Sequence, residues 1–487
     1  MIRRPSTPQI AGTLAAIALT GCITGTWFIH KIDHTVIAGS TAARFGYTLQ
    51  GGFNMNDDFV ADLAVGGPVV DSVYLYTADD LAAGGGLDTT DAVKFTGEPG
   101  GEAGWAMAAG HLFGNDLHSE LVIAAPSEEG GRGRIYVLAG GGLTKKLDQQ
   151  VVSTLVGSFP GEYAGWAVTV GNFNGDGHQD LMVGACGANS NKGKVYLVYG
   201  PLPAGESSLG DADAILTTTL HEARMGCAVT AIDLNGDGRD EPIIGAYQTT
   251  DFEKGTALAA GGVYVLWDTP NGLLDIDEDI PGISLLTAPD QSQTAGFALS
   301  GRGDANGDGI QDLIVGAPSR FCAHNDAHGE PAVACNERPD ARAYLILGDD
   351  KLEQSLPRHG LLGDVAVATV SGASLNDGLG TSVAFAGDVN QDGFDEALLG
   401  TNSTHQTYLF YGGSTDDLEV GDIDADEASA TFDGSVQGLF LGQNVAWIGD
   451  VNQDGNADMV MSGSGQEWYE DGPQLTKGQV HLVLGEE

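Results

Sequence analysis

Five stretches of this chain share one nine-residue arrangement of oxygen-bearing side chains, Asp/Asn-x-Asn-x-Asp-Gly-x-x-Asp/Glu. The donors are Asn172, Asn174, Asp176 and Asp180; Asp233, Asn235, Asp237 and Glu241; Asp304, Asn306, Asp308 and Asp312; Asp388, Asn390, Asp392 and Glu396; and Asp450, Asn452, Asp454 and Asp458. Carboxylates and amides at positions 1, 3, 5 and 9 suit a hard cation, and calcium takes about six to eight oxygens at about 2.3–2.6 Å. Glycine at position 6 allows the sharp turn that brings the early donors together. A sixth stretch, with Asn54, Asn56, Asp58 and Asp62, keeps the oxygens but carries Phe59 where glycine belongs. A seventh, Leu112 to Glu120, retains only Asp116 and Glu120 and is expected to have lost its ion. The expectation is five or six bound Ca2+ ions with a structural role.

The elements that hold these loops repeat with them. The loops recur about every 60 residues, which marks a repeat architecture rather than a row of unlike domains. Before each loop lies a glycine step: Phe45-Gly46, Gly104-Trp105, Gly165-Trp166, Gly226-Cys227, Gly296-Phe297, Gly380-Thr381 and Gly442-Gln443. After it comes an apolar run ending in a Gly-Gly-Pro or Gly-Ala-Pro type signature, degraded in the last two copies to Gly400-Thr401-Asn402 and Ser462-Gly463-Ser464. A third run follows as SVYLY, RIYVL, KVYLV, GVYVL, RAYLI, QTYLF and QVHLV. Short β-branched and aromatic runs bounded by glycine read as strands. Each repeat thus supplies three strands after its glycine step and a fourth before the next. The seventh repeat stops after its third strand, and Thr35-Val36-Ile37-Ala38 has the character of the missing fourth. The expected fold is all-β, a seven-bladed β-propeller of four-stranded blades whose N-terminal strand closes the last blade and removes open edges.

With glycine step, acidic loop and Gly-Ala-Pro signature recurring in order over residues 32–487, the chain resembles the FG-GAP repeat family, the propeller of integrin α-subunit heads and its bacterial relatives. The resemblance implies calcium held in hairpins between the first two strands of certain blades. It also implies a role in adhesion or recognition through the face opposite the calcium hairpins, with a protein or glycan as partner.

The N-terminus adds an address. Arg3 and Arg4 precede an apolar stretch, Ile10 to Leu19, that is too short to span a bilayer. It ends in Leu19-Thr20-Gly21-Cys22, which looks like a bacterial lipobox. Residues 1–21 then read as a lipoprotein signal peptide, Cys22 as the lipidated residue and 22–31 as a tether, placing the protein in the bacterial cell envelope at the outer membrane or cell surface. Export suits the remaining cysteines. Cys322 and Cys335 bracket a polar insertion and are expected to pair; Cys186 and Cys227 either pair or remain two buried thiols.

Charge excludes one partner class. With 67 acidic against 21 basic residues the net charge is −46, which repels nucleic acid and anionic membranes, so membrane contact is expected through the lipid anchor only. Strand alternation puts the calcium loops on one face and the two long insertions, Thr249 to Ala260 and Ser319 to Asp340, on the other, where ligand contact is expected. Arg302-Gly303-Asp304 spells an adhesion tripeptide, but Asp304 is committed to its loop. Trp105 and Trp166 read as packing between blades rather than a sugar platform. No nucleophile elbow, zinc helix or phosphate loop is present. The expected function is therefore non-enzymatic binding. A polysaccharide-active enzyme with its site in the propeller channel and a structural envelope protein are the two rival classes.

Overall fold

The computed structural model describes residues 25–28, 34–37 and 44–485, apart from 57, 83–85, 115–117, 142–146, 249–259, 279, 290–292, 320–340, 375–376, 415–417, 419, 435–440, 464–465, 470–471 and 476–477. Seven sheets, each built on four antiparallel strands, succeed one another along the chain, and a small hairpin of Gln466–Tyr469 and Gly472–Leu475 stands between the second and third strands of the last. Blade 3 shows the pattern: Ala164–Gly171, Asp180–Ala185, Lys194–Val198 and Ala214–Thr217, each strand paired to the next. The ring closes as the repeat count requires. His34–Ile37 pairs antiparallel with Gln479–Val483 and becomes the fourth strand of blade 7.

Four strands per blade is an undercount. In blades 2 to 7 a short fifth strand lies parallel to the fourth, giving six five-stranded sheets. It comes from the next blade, out of the connection between that blade's third and fourth strands: Gly205–Ser208 on blade 2, Gly272–Asp275 on blade 3, His359–Leu361 on blade 4, Gly421–Asp424 on blade 5 and Leu87–Asp88 on blade 7. Blade 6 receives Gly25–Phe28, from the segment just before the closing strand. These pieces are short and often polar, so they lack the apolar alternation by which strands are recognised.

The core lies between blades rather than within them. One cluster joins Val122 and Ile135 of blade 2 to Leu181 and Tyr196 of blade 3. Another joins Leu63, Val65 and Tyr74 of blade 1 to Ile448, Val460 and Val480 of blade 7, sealing the ring. The recurrent glycines explain how sheets come so close. A Cβ at Gly184 would strike the carbonyl oxygen of Gly226 in the next blade, and the same clash recurs for Gly245 with Gly296 and Gly316 with Gly380. The glycine step and the Gly-Ala-Pro signature are two halves of one backbone contact.

Each first strand faces the central channel. Across all seven of these strands the one charged residue is Arg302. Its guanidinium donates to the carbonyls of Val170 and Ala231 in blades 3 and 4 and sits 3.7 Å from Asp240. Asp304 meanwhile accepts amides of its own loop, so the Arg-Gly-Asp run is tied down at both ends. Among the described residues no helix is long and apolar enough to cross a membrane.

Candidate functional site

All seven loops sit between the first and second strands of their blades, hence on one face of the ring. The residue at position 9 opens the second strand and is buried in every copy: Asp62, Asp180, Glu241, Asp312, Glu396 and Asp458 have no accessible surface, and Glu120 almost none. Burying a carboxylate demands partners. The amide of position 2 supplies one, donating from Met55, Phe173, Leu234, Ala305, Val389 and Val451 over 2.7–3.0 Å. An amide beyond the third strand supplies another, from Gly200 to Asp180, Gly348 to Asp312 and Gly485 to Asp458. Burial still pushes these carboxyls up, Asp180 to about 6, Asp62, Asp312 and Asp458 to about 7, and Glu241 and Glu396 to about 8, against the pull of the amides. Holding Glu241 and Glu396 ionised at neutral pH calls for a nearby positive charge.

The early donors build the turn. Where position 1 is Asp, its two oxygens accept the amides of positions 5 and 6: Asp233 from Asp237 and Gly238, Asp388 from Asp392 and Gly393, Asp450 from Asp454 and Gly455. The Asn at position 3 accepts from position 5 through its oxygen and donates to that residue's carboxylate through its nitrogen, as in Asn306 with Asp308. These inward bonds leave no three His, Cys, Asp or Glu side chains converging as a metal cluster among the described residues. The donor set nevertheless fits calcium in kind. It offers only oxygens, and Asn172 Oδ1 at position 1 of blade 3 is closed off from solvent without a hydrogen-bond partner. In blade 4 a resident charge competes, because Arg239 Nη2 stands 3.5 Å from Glu241 Oε1.

Two loops depart from the pattern. In blade 1 the turn forms without glycine: Phe59 adopts φ +62°, in the left-handed region that Gly177, Gly238 and Gly309 occupy at +86° to +87°, and its ring is 74% exposed. In blade 2 the structure shifts the register. Glu120 accepts the amide of Leu112 at 2.6 Å, the bond that position 2 makes elsewhere, so position 1 is His111 and the loop is one residue longer. Asp116 lies outside the described residues.

Position 8 was not singled out in the sequence, yet it joins neighbouring loops. The amide of position 1 in one blade donates to the side chain at position 8 of the next: His111 to Gln179, Asn172 to Asp240, Asp233 to Gln311 and Asp304 to Asp395, at 2.6–3.2 Å. Return bonds run from the amides of Asp240 and Asp395 to the carbonyls of Asn172 and Asp304. The recurrence of a Gln or Asp acceptor at this place was the available signal.

The opposite face is irregular. Cys186 and Cys227 form a disulfide that staples blade 3 to blade 4, their Cα atoms 4.8 Å apart. Trp105 and Trp166 do pack across blades 2 and 3, with ring centroids 4.6 Å apart. Of the two insertions, 249–259 and 320–340 lie outside the described residues, and with them Cys322 and Cys335; so does Cys22.

A ring of seven such blades, with acidic hairpins on one face, is a β-propeller, and one of its repeats matches a known repeat family. The FG-GAP repeat model matches residues 164–198, which span the first three strands of blade 3. Among curated proteins, the phosphatidylinositol-glycan-specific phospholipase D of Bos taurus is 34% identical over 169 residues, which are 33% of this chain and 19% of that one. The Homo sapiens protein of that name is 32% identical over 193 residues, 38% of this chain and 22% of its own length. Integrin alpha-PS5 of Drosophila melanogaster is 30% identical over 264 residues, covering 51% of this chain and 24% of the integrin. The chain therefore spans about a quarter or less of these relatives.

Proposed function

We propose that this protein is a calcium-stabilised recognition propeller, anchored in a bacterial cell envelope through Cys22, that binds a protein or glycan partner on the face away from the acidic hairpins. The observation that carries this reading is the difference between the two faces. One repeats a single oxygen-lined hairpin, much of it cross-linked from blade to blade, as a scaffold would. The other carries a disulfide, contacting aromatics and the strand ends between which the two long insertions run in sequence, as a variable binding surface would. Kinship with proteins named integrin alpha supports recognition over catalysis, and the phospholipase matches cover too little of those proteins to import their activity. First strands with a single charged residue also favour binding over channel chemistry.

The test is direct. Labelled protein is titrated onto envelope fractions and a panel of proteins and glycans, in calcium and in EDTA. Saturable binding that calcium sustains is the expected result. A folded protein that binds nothing on either panel overturns the reading.

A further inference from the structure

A cavity of about 590 Å³ opens between blades 1 and 2 on the face away from the acidic hairpins, lined among others by Glu98, Ser127, Glu128, Glu129, Arg134 and Tyr136. Its size falls within the range of small-ligand sites, about 300–1,000 Å³. Its floor is built rather than incidental. Glu128 is 4% exposed, and its carboxylate accepts the Tyr136 hydroxyl at 2.8 and 2.9 Å and the Glu98 amide at 3.2 Å. Arg134 stands 3.2 Å from Glu128, pairs with Glu129 and reaches Glu206 at 2.9 Å. The glycine at position 101 is required, because a Cβ there would strike Glu128.

An aromatic arc leads away from this cavity. Tyr163, 37% exposed, lies against Gly131, next to the cavity-lining Gly130, and meets Trp166 edge-on at 6.2 Å. Trp166 touches Trp105 at 4.6 Å, and Trp105 touches Tyr47 at 4.7 Å. The tryptophans pack between blades and still stay half-exposed. Cavity and arc are joined through Glu102, which accepts from Ser127 Oγ through its carboxylate and from the Trp105 amide through its carbonyl.

We propose that this cavity and arc bind the end of a neutral glycan, an inference that rests on the recognition reading above. Carboxylates accept hydroxyl protons, the guanidinium donates to ring and hydroxyl oxygens, and half-exposed aromatic rings stack on the C–H faces of pyranoses. Charge selects within the class. A net charge of −46 and three carboxylates on one guanidinium, with Glu98 also in the lining, repel uronic, sulfated or sialylated chains. A cationic peptide is the poorer fit, because Arg134 already occupies the centre of the carboxylates.

The experiment is a titration of the whole protein, in calcium, against neutral oligosaccharides of gluco, galacto and manno configuration, with sulfated and uronic chains as controls, read by tryptophan fluorescence. Saturable binding to a neutral chain is expected, weakened at least tenfold in Tyr163→Ala and in Glu98→Ala, both exposed positions whose melting temperature should hold. Neutral-glycan binding untouched by both variants would overturn the site and leave the recognition reading intact. Binding to a protein partner alone would overturn the glycan class, again sparing that reading. Binding to nothing at all would remove both.

Discussion

The hairpin of blade 2 and that of blade 6 are built on one backbone and differ in what they keep. Blade 6 has the full donor set, Asp388, Asn390, Asp392 and Glu396. Blade 2 has lost the donors at the early positions that the structure describes and begins at His111. Yet both bury the carboxylate at position 9 and fasten it to the amide of position 2, at 2.6 Å in blade 2 and 2.8 Å in blade 6. The ninth residue is therefore a latch of the hairpin in its own right. The early donors shape the turn, and they are the groups left over for the proposed cation.

The largest test of this division is chelation of the proposed cation. At a dissociation constant of about 10⁻⁴ M and roughly 2 mM calcium, each filled loop adds about 1.8 kcal/mol. Five or six loops together contribute on the order of 10 kcal/mol, comparable to the stability of a whole domain. Thermal unfolding in EDTA should show a large drop, and an unchanged melting temperature would rule out a structural cation.

Acid should act through another group. Burial pushes His481 down to about 4, below its ordinary 6.5. Its contribution is complete above pH 6.5 and is lost as pH falls towards 4, because the unfolded chain takes up the proton first. The buried position-9 carboxyls, raised by burial, titrate in the opposite sense over this range, so the His481 share of about 3 kcal/mol is read as the difference between the parent and a His481 variant. His481→Tyr, which installs the residue that the other six blades carry at this place, should abolish it in denaturant titrations between pH 7 and 4.

Two substitutions then separate latch from ligand. Glu120→Ala strands the Leu112 amide in the interior and should cost about 2 kcal/mol with or without calcium. Asp392→Ala should cost about 2 kcal/mol in calcium and little in EDTA. Equal calcium dependence of the two would collapse the distinction. The smallest effect belongs to blade 1. Phe59→Gly relieves a left-handed backbone and should stabilise by about 1 kcal/mol in chemical denaturation, with a larger calcium response than the parent loop gives.

Much of this was written in the sequence because repetition multiplies weak signals. One acidic turn is ambiguous, whereas five in step with glycines and Val-Tyr-Leu runs fix the blades, their order and the closing role of residues 34–37. What escaped lacks such repetition. The fifth strands, such as Gly205–Ser208, are short and carry no shared pattern, since what they have in common is main-chain pairing with the fourth strand. The shifted register at His111 was hidden because the residues that mark it had been replaced. The Cys186–Cys227 bond follows from how blades 3 and 4 abut, which spacing along a chain cannot convey.

Gly25–Phe28 lies outermost on blade 6, so the chain enters the ring at its circumference rather than through either flat side. A disc suspended from its rim hangs like a coin on edge. Under the anchoring proposed at Cys22, the ring would turn its thin edge to the membrane and leave both flat faces open, one to the proposed ions and the other to the proposed partner.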